Sequence, residues 1–164
     1  ESSPIDESAL HPYGLHRRHL EKFIESTFEN HLIVRLPGLV GAGLRKNIIF
    51  DLLNQNNLDN IDSRAVFQFY PMIHLWRDIQ VALAKGITLL HLTAEPLSVR
   101  EVAALAFNVE FHNELPGPVV RYDMKSMYAS LYKGSASYQY TKEDSLIAIR
   151  DYARSERPRT QKAT

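Results

Sequence analysis

The chain has 164 residues, 45% of them hydrophobic and 23% charged, enough for one soluble domain with its own core. Nineteen basic residues balance nineteen acidic ones, so charge gives no reason to expect nucleic acid or a membrane surface as a partner. There is no cysteine, which excludes disulfides and cysteine-bound metal within the chain and fits a cytoplasmic location; no apolar run approaches the roughly 20 residues of a membrane helix.

The opening "ESSPIDESALHP" is polar and holds two prolines, the composition of a loop. The chain starts at Glu1 without methionine, and we expect it to be a piece of a longer protein. Leu20, Phe23, Ile24 and Phe28 recur at helical spacing, which predicts a helix from about Tyr13 to Phe28. "HLIVRL" reads as a short apolar strand, "GLVGAG" as a flexible loop, and "KNIIFDLLNQ" as a second helix with Ile48, Leu52 and Leu53 on one side. "AVFQFY" reads as one strand, then "HLWRDIQVALAKG" as a third helix with an inward stripe of Leu75, Ile79, Ala82 and Leu83, stopped by Gly86. "ITLLHL" is a further strand, and "EPLSVREVAALAF" a helix in which Ser98 and Glu101 have the spacing of a capping box. "VEFH" is a candidate strand. Residues 113 to 140 carry no assignable pattern. "TKEDSLIAIRDYARS" is a last helix capped by Thr141, with Leu146, Ile149 and Tyr152 inward. We place one domain over 1–154 and a flexible tail over 155–164.

Strands alternating with helices predict an α/β domain with a largely parallel sheet, "HLIVRL" and "ITLLHL" side by side. Gly38, Gly41 and Gly43 follow a strand and precede a helix, as in a dinucleotide-binding turn. Three details argue against that reading. The spacing is wrong, Arg35 lies inside the preceding strand, and the acidic residue that should end a second strand is missing; Asp59 and Asp62 fall instead in a polar stretch. His16 and His19 have a metal-compatible spacing near His11, but no third ligand suits them, and we expect no metal site. Trp76 reads as core or interface. Tyr122, Tyr128, Tyr132, Tyr138 and Tyr140 either pack a small lobe or line a pocket.

In "HPYGLHRRHLEKF" a tyrosine is followed four residues on by Arg17 and four further by Glu21. Together with "PIDES", "LIVRLPGLVGAG", "FQFYPMIHLWRDI" and "LHLTAEPLSVREVA", this resembles the extended short-chain dehydrogenase/reductase family, the NAD(P)-dependent epimerases and dehydratases. Tyr13, Arg17 and Glu21 fall on the family's tyrosine, lysine and glutamate. Arg35, Val40, Gly41 and Gly43 match its strand and loop, and "EPLSVREVA" is similar to its "PxSxxEIA" helix. The match runs over roughly residues 1 to 110.

The resemblance implies part of a Rossmann-like parallel sheet with flanking helices plus a small C-terminal substrate lobe. It implies the C-terminal portion of such an enzyme, without the half that binds the dinucleotide. It also implies NAD or NADP as cofactor, a small-molecule substrate such as a nucleotide sugar, and a homo-oligomer. Tyr13 would be the acid/base and Arg17 its cation, with both of them, Pro37 and Gly38 against the nicotinamide end. Free tyrosine titrates near about 10, and a neighbouring cation favours tyrosinate. Arg17 stands where the family has lysine, and arginine is bulkier and planar. Ile73 and His74 stand where it usually has an acidic pair. Two alternatives to catalysis therefore stay open: a non-catalytic binding or regulatory protein on the same fold, and an interaction module.

Overall fold

The structure, a computed structural model, describes residues 1–132, 134–135 and 137–156. Among the described residues five α-helices and six short strands follow in the order α1 Pro12–Thr27, β1 Ile33–Arg35, β2 Gly38–Val40, α2 Ile48–Asn54, β3 Val66–Phe67, β4 Phe69–Pro71, α3 Leu75–Ala84, β5 Leu89–His91, β6 Leu97–Ser98, α4 Val99–Phe107 and α5 Lys142–Glu156. β1 and β5 run parallel, with Ile33 opposite Leu89 and Arg35 opposite His91, as their apolar runs predict. β2 pairs parallel with β4, and β3 antiparallel with β6. The sheet is thus three two-stranded pieces, a mixed α/β arrangement of Rossmann-like kind, rather than one largely parallel ladder.

Two sequence expectations change on these pairings. "GLVGAG" is not all loop, because Gly38, Leu39 and Val40 hydrogen-bond alongside Phe69, Tyr70 and Pro71. Gly38 has a packing reason: a Cβ there would lie 2.8 Å from the Gln68 carbonyl. "AVFQFY" is not one strand, because buried Gln68 interrupts it. Its side-chain amide donates to the carbonyls of Ala94 and Met124 at 2.7 Å each and accepts from Met124 N–H at 2.6 Å. The two bonds to Met124 anchor the crossing segment 113–128, whose Arg121 also bridges Val66.

The main core lies where β2 and β4 meet α2, α4 and α5, around Val40, Ile49, Phe69, Leu97, Val102 and Ile149. Ser98 and Glu101 form the expected capping box, which fixes the start of α4. Leu146, Ile149 and Tyr152 of α5 point inward as expected. A second core under α3 holds Tyr70, Ala82, Leu90, Leu92 and Tyr140.

Helix α3 turns differently from its predicted stripe. Leu83 is exposed and Asp78 is fully buried, because Asp78 finds polar partners inside. Trp76 is 72% exposed, so it is not core. Helix α1 also departs: Leu20, Phe23 and Phe28 face outward, and its inner side carries Arg18 and Glu21 instead. "VEFH" forms no strand. α4 stops at Asn108 in the left-handed region (φ 56°), and the chain leaves without a pairing partner. Residues 155–156, expected in the tail, complete α5, while 157–164 lie outside the described residues. Among the described residues no helix is long and apolar enough to cross a membrane.

Candidate functional site

Helix α1 begins with Pro12 at its first position, preset for helical φ, and His11 caps it by accepting from Tyr13 N–H. Tyr13 therefore stands in the first turn, 65% exposed. One turn on, Arg17 donates a hydrogen bond to the Tyr13 hydroxyl, and its guanidinium carbon lies 4.6 Å from the ring centroid. The Tyr–x3–Arg spacing thus produces a direct pair on the helix surface.

One further turn on, Glu21 ties α1 to the sheet. Its two oxygens accept from Arg35 Nε at 2.7 Å and Arg35 Nη2 at 2.6 Å, and Arg18 adds a third bond at 3.0 Å. The Arg35 fork, the Arg18 bond and the two positive charges hold the Glu21 carboxyl below its ordinary value against the opposing effect of burial. Arg35 also reaches the ring of His91 across the β1–β5 pair, at 3.2 Å. The tyrosine helix is therefore positioned by a half-buried ionic fork, and its apolar residues are left facing solvent.

Pro37 lies between β1 and β2, and Gly38 is the first residue of β2. The glycine loop does not present a free helix end, because the Asn47 side chain accepts from Ile49 N–H at 2.9 Å and Phe50 N–H at 3.3 Å and closes the start of α2. Among the described residues no group of three or more His, Asp or Glu is placed to hold a metal ion.

Two further features of the molecule carry no motif. An apolar cleft of about 210 Å³ opens between α2, β3 and the crossing segment, lined by Ile48, Ala65, Phe67, Pro118 and Val119. Tyr122 sits beside it, its ring 5.7 Å from that of Phe67. The second feature is a buried carboxylate: Asp78 accepts from Tyr70 OH at 2.6 Å and Tyr140 OH at 2.5 Å, and from Arg77 Nε at 3.1 Å. Burial together with the Asp78 bond pushes both tyrosine hydroxyls well above their ordinary range. The five tyrosines thus divide. Tyr140 is buried in this network, Tyr132 joins it through the Asp78 carbonyl at 3.1 Å, and Tyr122 faces out by the cleft.

No family model and no curated protein matches the chain. Solved structures do match. The dTDP-glucose 4,6-dehydratase of Bacillus anthracis, solved with NAD, superposes with a TM-score of 0.66 at 14% identity, over 96% of this chain and 56% of that one. The UDP-glucuronic acid 4-epimerase of Bacillus cereus, solved with UDP-glucuronic acid and NAD, gives 0.62 at 20% identity, over 94% and 57%. The Bordetella bronchiseptica enzyme WbmG, in complex with NAD and UDP, gives 0.56 at 21% identity, over 74% and 41%. The chain has the fold of the NAD-dependent epimerases and dehydratases. It spans about half the length of these structures.

Proposed function

We propose that the chain is part of an NAD(P)-dependent epimerase, dehydratase or reductase that acts on a nucleotide sugar. Tyr13 is the acid/base in this reading, and Arg17 is the cation bonded to its hydroxyl. The observation that carries it is the Tyr13–Arg17 pair on a helix of this fold. An exposed phenol held by a guanidinium offers what proton transfer at a carbinol needs: an oxygen open to substrate and a charged hydrogen-bond donor fixed on that oxygen. NAD or NADP, when bound, accepts and returns the hydride. Pro37 and Gly38, where β1 gives way to β2, would border its nicotinamide end, in the crevice outside the carboxyl ends of parallel strands. The apolar cleft at Phe67, with Tyr122 at its edge, suits the planar base of a nucleotide sugar. The exposed apolar residues Leu20 and Phe23 of α1 and Phe28 at its C-cap suit a homo-oligomeric contact. Light scattering that gives one chain mass at high micromolar concentration counts against that contact.

One observation favours a non-catalytic binding or regulatory protein that has lost the lysine. The Arg17 guanidinium is already engaged by the Tyr13 hydroxyl and ring, where the lysine of this resemblance also reaches the cofactor's ribose. Turnover of nucleotide sugars by the intact protein, measured through nicotinamide absorbance in wild type and Tyr13→Phe, decides between the two. Hydride transfer lost in the variant supports the enzyme. No transfer with any nucleotide sugar tried supports the binding protein.

A further inference from the structure

The side chain of Glu1 makes long-range contacts out of proportion to its place in the sequence. Its Oε1 accepts from the backbone N–H of His91 at 2.7 Å and from the Ser126 hydroxyl at 2.9 Å, and its Oε2 from the backbone N–H of Met127 at 3.0 Å. The side chain is only 5% exposed. One carboxylate thus joins three parts of the molecule: the opening segment, the carboxyl end of β5, and the crossing segment ahead of the 3-10 turn Ala129–Tyr132. His91 itself is clasped between the Lys125 carbonyl, 3.0 Å from its Nδ1, and Arg35, 3.2 Å from its Nε2. Behind the opening segment lies a polar crevice of about 210 Å³, whose walls include Glu1, Pro4, Arg18, Glu25, Arg35 and Leu89.

We propose that Glu1 is a latch: its carboxylate pins the opening segment to His91 and Met127 over the carboxyl ends of β1 and β5, and its release uncovers His91. The proposal is independent of the chemistry assigned to Tyr13. The latch is local by construction. Three bonds converge on a single side chain, two of them from backbone amides that have no ladder partner there, so losing the carboxylate frees the His91 and Met127 amides, while Gln68 still holds Met124 and Ser137 still holds the Ser126 amide. Burial opposes the Glu1 charge, yet the bonds from Met127, His91 and Ser126 outweigh it and hold the carboxyl below its ordinary value, as a charge-assisted clasp does. The apolar cores around Phe69, around Leu90 and around Ile61 do not include Glu1, so they have no reason to loosen with it.

Hydrogen exchange and diethyl pyrocarbonate labelling of the full chain test this. In Glu1→Ala, the amides of His91 and Met127 exchange about tenfold faster or more. Labelling of His91 rises in parallel, while α4 and α5 exchange as in wild type. Ser126→Ala, which removes one of the three donors and leaves the carboxylate in place, gives a smaller change at the same two amides. Unchanged exchange and labelling in Glu1→Ala overturns the latch. So does loosening spread evenly into α4 and α5, since Glu1 would then be an ordinary contributor to global stability.

Discussion

Arg17 donates to the hydroxyl of Tyr13 one helical turn back, and the same guanidinium lies against the tyrosine ring. Both residues are exposed, so the pair is available to a ligand without rearrangement of the core. On the enzymatic reading, Tyr13→Phe in the intact protein removes only the proton-transferring oxygen. Turnover falls by about 10²–10⁴-fold, the usual share of general acid–base catalysis, and cofactor affinity stays within about twofold. Arg17→Met lowers the rate, because the hydroxyl loses its charged donor, while Arg17→Lys keeps or raises activity. Full activity in Tyr13→Phe removes this residue from the mechanism.

Asp78 is buried and charge-paired, with two tyrosine hydroxyls and Arg77 around it. Asp78→Ala strands those donors and costs about 3–5 kcal/mol of stability, the scale for breaking a buried ionic cluster. Tyr70→Phe removes one bond and costs about 1–2 kcal/mol. Urea unfolding with unchanged slope checks both. A cost under about 1 kcal/mol for Asp78→Ala shows that the cluster relaxes or fills with water.

Acid destabilises this chain in two stages. Burial leads in holding His74 and His91 below the ordinary 6.5, so the unfolded chain takes up protons there that the folded chain resists. That stability is present above 6.5 and is lost as pH falls below it. Glu1, Glu21 and Glu101 are held below the ordinary 4.5, Glu21 chiefly by Arg35, and Glu1 and Glu101 by hydrogen bonds that overcome their burial. Their contribution is complete above 4.5 and falls away as pH drops toward their folded values. Thermal melts at about pH 7.5, 5.5 and 4 should give a falling Tm at each step. A Tm that rises between the first two refutes the histidine stage.

By itself this chain should not bind NAD(P) at micromolar concentration. A pyrophosphate needs free N–H groups at a helix start. Here α1 is capped by His11, α2 by Asn47 and α4 by Ser98, Thr141 accepts from Asp144 N–H at the head of α5, and α3 grows out of the 3-10 turn Met72–His74. Calorimetric titration with NAD and NADP checks it. Micromolar binding would return the Gly38–Gly43 stretch to consideration as a phosphate cradle.

Local patterns determined much of this protein. The tyrosine helix, the parallel β1–β5 pair, the Ser98–Glu101 capping box and the inward face of α5 follow from spacing, because each depends on neighbours within a few residues or on a short apolar run. The Tyr13–Arg17 pair is legible for the same reason: residues four apart on a helix must meet. What the sequence hid depends on partners far along the chain. β2 is a strand only because β4 lies beside it, and Gln68 breaks "AVFQFY" only because Ala94 and Met124 are there to receive its amide. The rotation of α3 was decided by Tyr140, 62 residues beyond Asp78: a buried carboxylate with two hydroxyl donors outweighs the apolar stripe that would have turned Leu83 inward. Likewise α1 turns its ionic side to the sheet because Arg35 waits on β1 for Glu21, a fork whose strength lies in geometry that spacing along one helix does not reveal.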